Sequence, residues 1–335
     1  MNRAKLVEIL SILSKGLEKN KELPIYEHFC FTGTTVFSSN MLFTIAAPLK
    51  VPKPFAVNGY TFLQLLEAVG NDDIKFVVET DNLAIKAGKS SFELPIKTQD
   101  EFIWQEPEMK GLELDSVVAD AMKYVLTTCS ENQALEGFAR ICIRDKDGLV
   151  TLYSTDGDAL TRYDTNLPTT QSIDVWLTRK FCQTVNDVTP NGRIQIDKHW
   201  VCADDGKYKV YGQNLGRSTM DYEAEIKNIV GPKFPNALIP IPLGLDQALT
   251  RARVVADIET AATNLIVESK IMYLITETPF GNVYDEMGTD HDDIDIKINA
   301  ELLQTKMNGL DMVSFTPSCS ILKNEKMLRL IAVMK

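Results

Sequence analysis

The sequence repeats one layout three times. A short amphipathic helix, a polar or glycine turn and a strand recur over residues 60–78, 178–196 and 299–315. Gln64, Gln183 and Gln304 hold the same place in the three helices, which sets a period of about 120 residues. A strand-turn-strand segment follows each copy, over 83–94, 200–211 and 319–330. Another amphipathic helix precedes each, over 4–13, 115–126 and 244–255, with strand blocks at 29–45, 138–163 and 264–283. Such a period constrains the chain more than any single motif does. It predicts an α+β protein of three repeated domains, each with two helices packed on antiparallel sheet. The seams fall near 111 and 235, giving domains 1–111, 112–235 and 236–335. The second seam lies in the Pro-rich stretch Gly231-Pro-Lys-Phe-Pro-Asn236. A chain of 335 residues has room for two or three domains of roughly 100–200 residues.

The formal net charge of −11 argues against general electrostatic binding to nucleic acid or to an anionic membrane. It leaves room for a local basic patch. Six cysteines occur with no C-x-x-C pair, no secretory signal opens the chain, and no apolar run approaches the ~18 residues that span a bilayer. The expectation is a reduced, cytoplasmic protein with buried free thiols and no membrane contact.

The stretch Arg144-Asp-Lys-Asp-Gly-Leu-Val-Thr-Leu-Tyr-Ser-Thr-Asp-Gly-Asp158 raises the question of metal chemistry. Asp145-Lys-Asp147-Gly148 matches the start of a calcium loop, but Leu149 stands where a fifth-position oxygen ligand is needed. Asp-Gly between alternating runs is instead a hairpin signal. Ala87-Gly88-Lys89-Ser90 lacks the first glycine of a phosphate loop and lies in a hairpin pattern. His28, His199 and His291 stand far apart, and Asp290-His-Asp-Asp-Ile-Asp reads as a solvated loop entering a strand. No nucleophile elbow and no dinucleotide fingerprint is present. These absences point to a binding protein, without catalytic residues, cofactor or metal. The alternative is a hydrolase using Asp145, Asp147, Asp156 and Asp158 on a divalent cation.

Basic residues gather on the helices: Arg3, Lys5, Lys15, Lys19 and Lys21; Lys123, Arg179 and Lys180; Arg251, Arg253 and Lys306. Acids gather elsewhere, at Asp72-Asp73, 106–113 and 285–295. If the repeats stack side by side, their helices share one surface that is less acidic than the rest.

Several stretches resemble the bacterial DNA polymerase sliding clamp, the β subunit family. Leu23-Pro-Ile25 is similar to its Leu-Pro-Ile after the first helix, and Gly88-Lys-Ser-Ser-Phe-Glu-Leu94 to its Ser-Gly-x-Ser-x-Phe-x-Leu hairpin. Ser154-Thr-Asp-Gly-Asp-Ala-Leu160 resembles Ala-Thr-Asp-Gly-x-x-Leu, with Asp158-Ala159 where the family usually has His-Arg. Leu177-Thr-Arg-Lys180 looks like Val-Pro-Arg-Lys, and Ile331-Ala-Val-Met-Lys335 like a shortened Val-Val-Met-Pro-Met. The family's Phe-Pro-Asp-Tyr run is blurred into Met220-Asp-Tyr-Glu-Ala-Glu-Ile-Lys227.

The resemblance implies a head-to-tail homodimeric ring that encircles double-stranded DNA without reading its sequence. The basic helix residues above would face the DNA. Leu112, Leu114 and Leu265 would close the dimer by sheet-edge pairing. Phe138, Thr155, Gly157, Leu160, Ser318, Val333 and Met334 would form the pocket for a DNA polymerase peptide, and a clamp-loader ATPase would open the ring. A clamp-like transcription co-activator is a further alternative.

Overall fold

The structure is a computed structural model and describes residues 2–70, 74–132, 134–135, 137–216, 220–230, 238–257 and 260–334. The Pro-rich stretch 231–236, the seam near 235, Asp72, Asp73 and Lys335 lie outside the described residues. Contacts group the chain into two compact units, 1–123 with 180–216, and 124–179 with 217–335.

Seven helices occur among the described residues: α1 (Arg3–Leu13), α2 (Gly59–Ala68), α3 (Val117–Leu126), α4 (Arg179–Val188), α5 (Tyr222–Val230), α6 (Leu245–Val255) and α7 (Ala300–Met307). Six lie where the repeat predicts them, and α5 is additional. Their starts have a common cause. The side chains of Asn2, Asn58 and Asn299 accept from the N–H groups of Lys5, Thr61 and Leu302, which would otherwise be orphaned at a helix N-terminus. Their faces are set by spacing. Leu6, Ile9, Leu10 and Leu13 of α1 are buried, as are Leu245, Ala248, Leu249 and Ala252 of α6.

The first unit is built on an eleven-stranded antiparallel sheet. Its order is Ile74–Val78, Asn82–Ala87, Ser90–Lys97, Phe55–Asn58, His28–Phe31, Thr35–Ser39, Phe43–Pro48, Lys209–Gln213, Trp200–Asp204, Arg193–Ile196 and Leu112–Leu114. The sheet therefore crosses the expected seam near 111, through the pairing of Phe43–Pro48 with Lys209–Gln213. At Gly212 a Cβ would fall 2.4 Å from the Phe181 ring, so only glycine lets α4 lie this close.

The second unit carries an eight-stranded and a four-stranded antiparallel sheet. The larger runs Asp174–Thr178, Arg140–Lys146, Leu149–Thr155, Ala159–Pro168, Met327–Ala332, Cys319–Lys323, Met312–Phe315 and Ile239–Pro240. The smaller runs Gly281–Gly288, Ile271–Thr278, Ala262–Glu268 and Ile294–Asn299. Here the pairing of Ala159–Pro168 with Met327–Ala332 joins the middle and last repeats. Lys146 pairs with Leu149 across a two-residue turn whose Asp147 and Gly148 have φ of 52° and 78°, the left-handed pair that Asp-Gly favours. All six cysteines are buried free thiols.

Candidate functional site

In the second unit, the turn after Leu149–Thr155 forms one wall of a cleft of about 590 Å³. Asp156 builds this turn. Its Oδ1 accepts from the N–H groups of Asp158 at 3.2 Å and Ala159 at 2.8 Å, and Gly157 takes φ 98°. Its Oδ2 is bound at 3.0 Å by Lys306, which also donates to the Thr127 carbonyl. Beside it lies Arg329, 1% exposed, which donates to the carbonyls of Lys306 and Tyr124 and to the hydroxyls of Thr127 and Thr161. Burial pushes this guanidinium down to about 10, against the opposing charge of Asp156. The turn is thus pinned by the buried Lys306, whose own carbonyl is held by Arg329.

Of the residues that the resemblance assigns to a peptide pocket, Phe138, Thr155, Gly157, Leu160 and Ser318 line the cleft. Val333 and Met334 do not. The Val333 N–H donates to the Ser318 carbonyl, and the Met334 N–H to the Lys297 carbonyl at 2.8 Å. The tail therefore runs on to the strand Ile294–Asn299 and braces the smaller sheet instead of walling the cleft. The opposite wall comes from α5 and its approach, through Met220, Asp221, Glu225 and Ile229. Sequence reading missed this helix. Its signals were present: Asp221 accepts from the Ala224 N–H as an N-cap, and Tyr222, Ile226 and Ile229 recur at helical spacing. Tyr222 is fully buried and stacks on Tyr153 at 5.2 Å and on Trp176 at 5.7 Å. Glu223 ties α5 to the sheet by accepting from Tyr153 Oη at 2.8 Å and pairing with Lys146 at 2.9 Å. Burial works to raise the Glu223 carboxyl, but these bonds and the charge of Arg162 outweigh it and hold the group below its ordinary value.

The first unit repeats this geometry. Asn40 stands for Asp156, its Oδ1 accepting from the N–H groups of Leu42 and Phe43 at 2.9 Å each. Phe43 pairs with Gly212 as Ala159 pairs with Ile331. Trp104 packs on Phe37 as Tyr222 packs on Tyr153. The cavity there is only about 140 Å³.

The expected dimer residues divide. Leu112 and Leu114 do belong to an edge strand, half-buried and 4% exposed respectively. Leu265 does not: it is 0% exposed, in a strand flanked on both sides within the four-stranded sheet. Alternation of apolar and polar residues marks interior and edge strands alike, so the pattern could not separate them. The outer strands of that sheet are Gly281–Gly288 and Ile294–Asn299, the latter bridged by Met334 at Lys297. At the start of the former Phe280 is 81% exposed, and Val254 on the end of α6 is 80% exposed. The Thr278 hydroxyl donates to the Val255 carbonyl there.

The basic residues divide as well. Lys5, Lys21 and Lys180 are exposed. Lys15 stands 3.8 Å from Asp187, Lys19 lies over the Tyr60 ring, and Lys123 pairs with Asp120. Arg251 pairs with Asp285, and Arg253 with Glu301. Three were expected on an open face and are occupied otherwise. Arg3 donates to the Leu66 and Glu67 carbonyls at the end of α2, Arg179 to those of Leu126 and Cys129 at the end of α3, and Lys306 is 7% exposed.

The geometry gives the cation-site alternative no support. Asp145 accepts from the Ile173 N–H, Asp147 sits in the hairpin turn and Asp156 is taken by Lys306. No group of three metal-ligating side chains converges among the described residues. His291 is a packing histidine, accepting at Nε2 from the Phe315 N–H.

No protein-family model matches the chain, and no curated protein matches its sequence. The comparison of folds does give a match: the chain has the three-domain fold of DNA polymerase sliding clamps. Among solved structures, the DNA polymerase III β subunit of Pseudomonas aeruginosa aligns with 100% of this chain and 99% of its own at TM-score 0.86 and 17% identity. The β chain of Streptococcus pneumoniae gives 100%, 98%, 0.86 and 15%, and that of Thermotoga maritima 100%, 98%, 0.82 and 16%. No described helix is long and apolar enough to cross a membrane.

Proposed function

We propose that the chain is a DNA sliding clamp, a processivity factor that closes around duplex DNA as a head-to-tail homodimer and tethers a replicative polymerase. End-to-end correspondence with solved clamps is the observation that carries this reading. On it, the repeats are domains 1–111, 112–235 and 236–335, working in the cytoplasm with a clamp-loader ATPase and without catalysis of their own.

The strand pairing supports the ring. The third strand of the first repeat, Phe43–Pro48, pairs with the last strand of the second, Lys209–Gln213. The corresponding strand of the second repeat, Ala159–Pro168, pairs with Met327–Ala332 of the third. One such pair is left over: Gly281–Gly288, a sheet edge, and Ser90–Lys97, which beyond Ile96 and Lys97 is bonded only to Asn82–Ala87 among the described residues. Joining these between two copies repeats the same contact head to tail and closes a ring. Exposed Lys86 and Lys89 on one hairpin complement Glu286 on the other strand. This moves the proposed dimer contact from Leu112, Leu114 and Leu265 to Ser90–Lys97 on one copy and Gly281–Gly288, Val254 and Phe280 on the other.

Exposed residues such as Lys5 on α1, Lys180 on α4 and Lys21 in the segment after α1 would attract phosphates weakly, with little affinity for any particular sequence. The 590 Å³ cleft would hold the partner's peptide. The transcription co-activator alternative has no residue in its favour. The test is retention on nicked circular DNA after loading, followed by linearisation. A clamp stays on the circle through high salt and slides off once the DNA is cut. Salt-labile binding that ignores linearisation would refute the ring.

A further inference from the structure

We infer that the cleft of the second unit selects a basic partner, a short peptide with apolar anchors flanked by Lys or Arg. This rests on the reading of the cleft as the docking site and adds the chemistry of what it takes. The floor is apolar, with Leu160 at 5% and Leu330 at 2% exposed, and Phe138 and Ile229 half-buried. Three carboxylates stand at its walls, Asp158 on the turn and Asp221 and Glu225 on α5, all exposed. Among the described residues no lysine or arginine lines the cleft, and none pairs with these three in a salt bridge. A peptide carboxylate entering here meets like charge on both sides, whereas a cationic side chain finds Asp158 and Glu225 without a salt-bridge partner among the described residues, Asp221 already lying in the field of Arg144.

The first unit supplies an internal control. At the equivalent turn, Leu42 stands where Asp158 does, and Ile103, preceding Trp104, stands where Asp221 precedes Tyr222. The repeated fold thus accepts apolar residues at both positions, so the acidic rim is not a requirement of the scaffold. Asp221 has one structural duty, as the N-cap of α5. Asp158 and Glu225 have no side-chain bond of that kind among the described residues, and their substitution tests charge alone.

The experiment uses three labelled peptides with one leucine–phenylalanine core, flanked by lysines, serines or glutamates. Fluorescence anisotropy is read at low and high salt on the full chain and on D158N/E225Q. The lysine peptide should bind ~10-fold more tightly than the glutamate peptide at low salt, since each exposed pair adds a few-fold at most. Salt should shrink the difference, and D158N/E225Q should cut it to ~2–3-fold. Equal binding of all three peptides would overturn the inferred charge preference while leaving the docking site standing. A lysine preference unchanged in D158N/E225Q would overturn it too, assigning the preference to the protein's overall charge. Binding of none would remove the docking site itself, and the inference with it.

Discussion

Val254→Glu separates a ring contact from a folding contact. Val254 is 80% exposed at the end of α6, so a glutamate there disturbs little within one chain, ~0.5 kcal/mol at most. In the proposed dimer it is covered by the neighbour's edge strand. Losing a buried valine and covering a carboxylate instead costs ~2 kcal/mol or more per contact. A closed head-to-tail dimer contains the contact twice, so the loss doubles to ~4 kcal/mol, about a thousandfold in the dissociation constant. Sedimentation velocity over a concentration series reads this as a shift of the dimer-to-monomer midpoint, with a thermal melt as the control for folding. Leu265→Glu is the opposite case. It forces a charge into a side-chain site with 0% exposure and should abolish the folded second unit. If V254E dimerises like the parent chain, the reasoning that pairs Gly281–Gly288 with Ser90–Lys97 is wrong.

Three further outcomes follow from the second unit and the thiols. Arg329→Met strands the carbonyls of Lys306 and Tyr124 and two threonine hydroxyls, and should destabilise by ~3–5 kcal/mol in urea titration; a change within ~1 kcal/mol would show that the network is dispensable. The Glu223 carboxyl lies below its ordinary 4.5 in the folded chain, so its stabilisation is full above that value and is lost as pH falls through the lower folded value. Near-ultraviolet dichroism of the Tyr153–Tyr222–Trp176 stack should therefore change below about pH 4.5 in the parent and lack that step in Glu223→Gln; identical profiles would remove Glu223 from the account. Burial raises the Cys129 and Cys202 thiols to about 12, so a thiol reagent at neutral pH should read almost none of the six cysteines before denaturation and all of them after.

The helices were legible because their evidence is local. Leu6, Ile9, Leu10 and Leu13 form one face by spacing alone, and asparagine marks the starts of α1, α2 and α7. The Asp147-Gly148 turn was legible for the same reason. What could not be read depends on residues far apart in the chain. Charge shows in the sequence, but a charge's partner does not: nothing near Arg3 announces the carbonyls of Leu66 and Glu67, and nothing near Lys306 announces Asp156. Half of the cleft was legible through the turn at Thr155–Leu160. The other wall was obscured because α5 has only Tyr222 and Ile226 fully buried, too few positions to outweigh its charged residues.

The sheets do not stop at the ends of the repeats, and this limits how the chain can be cut or could have arisen. A fragment of residues 112–235 would leave Lys209–Gln213 without Phe43–Pro48 and Ala159–Pro168 without Met327–Ala332. Both strands would become open edges ready to pair with any other chain, so such a fragment should aggregate instead of folding alone. A single copy of the repeat would face the same demand and would have to satisfy it with further copies of itself. Gene duplication and fusion would then have changed only which of those strand contacts lie within one chain, with the last left to be made between two chains.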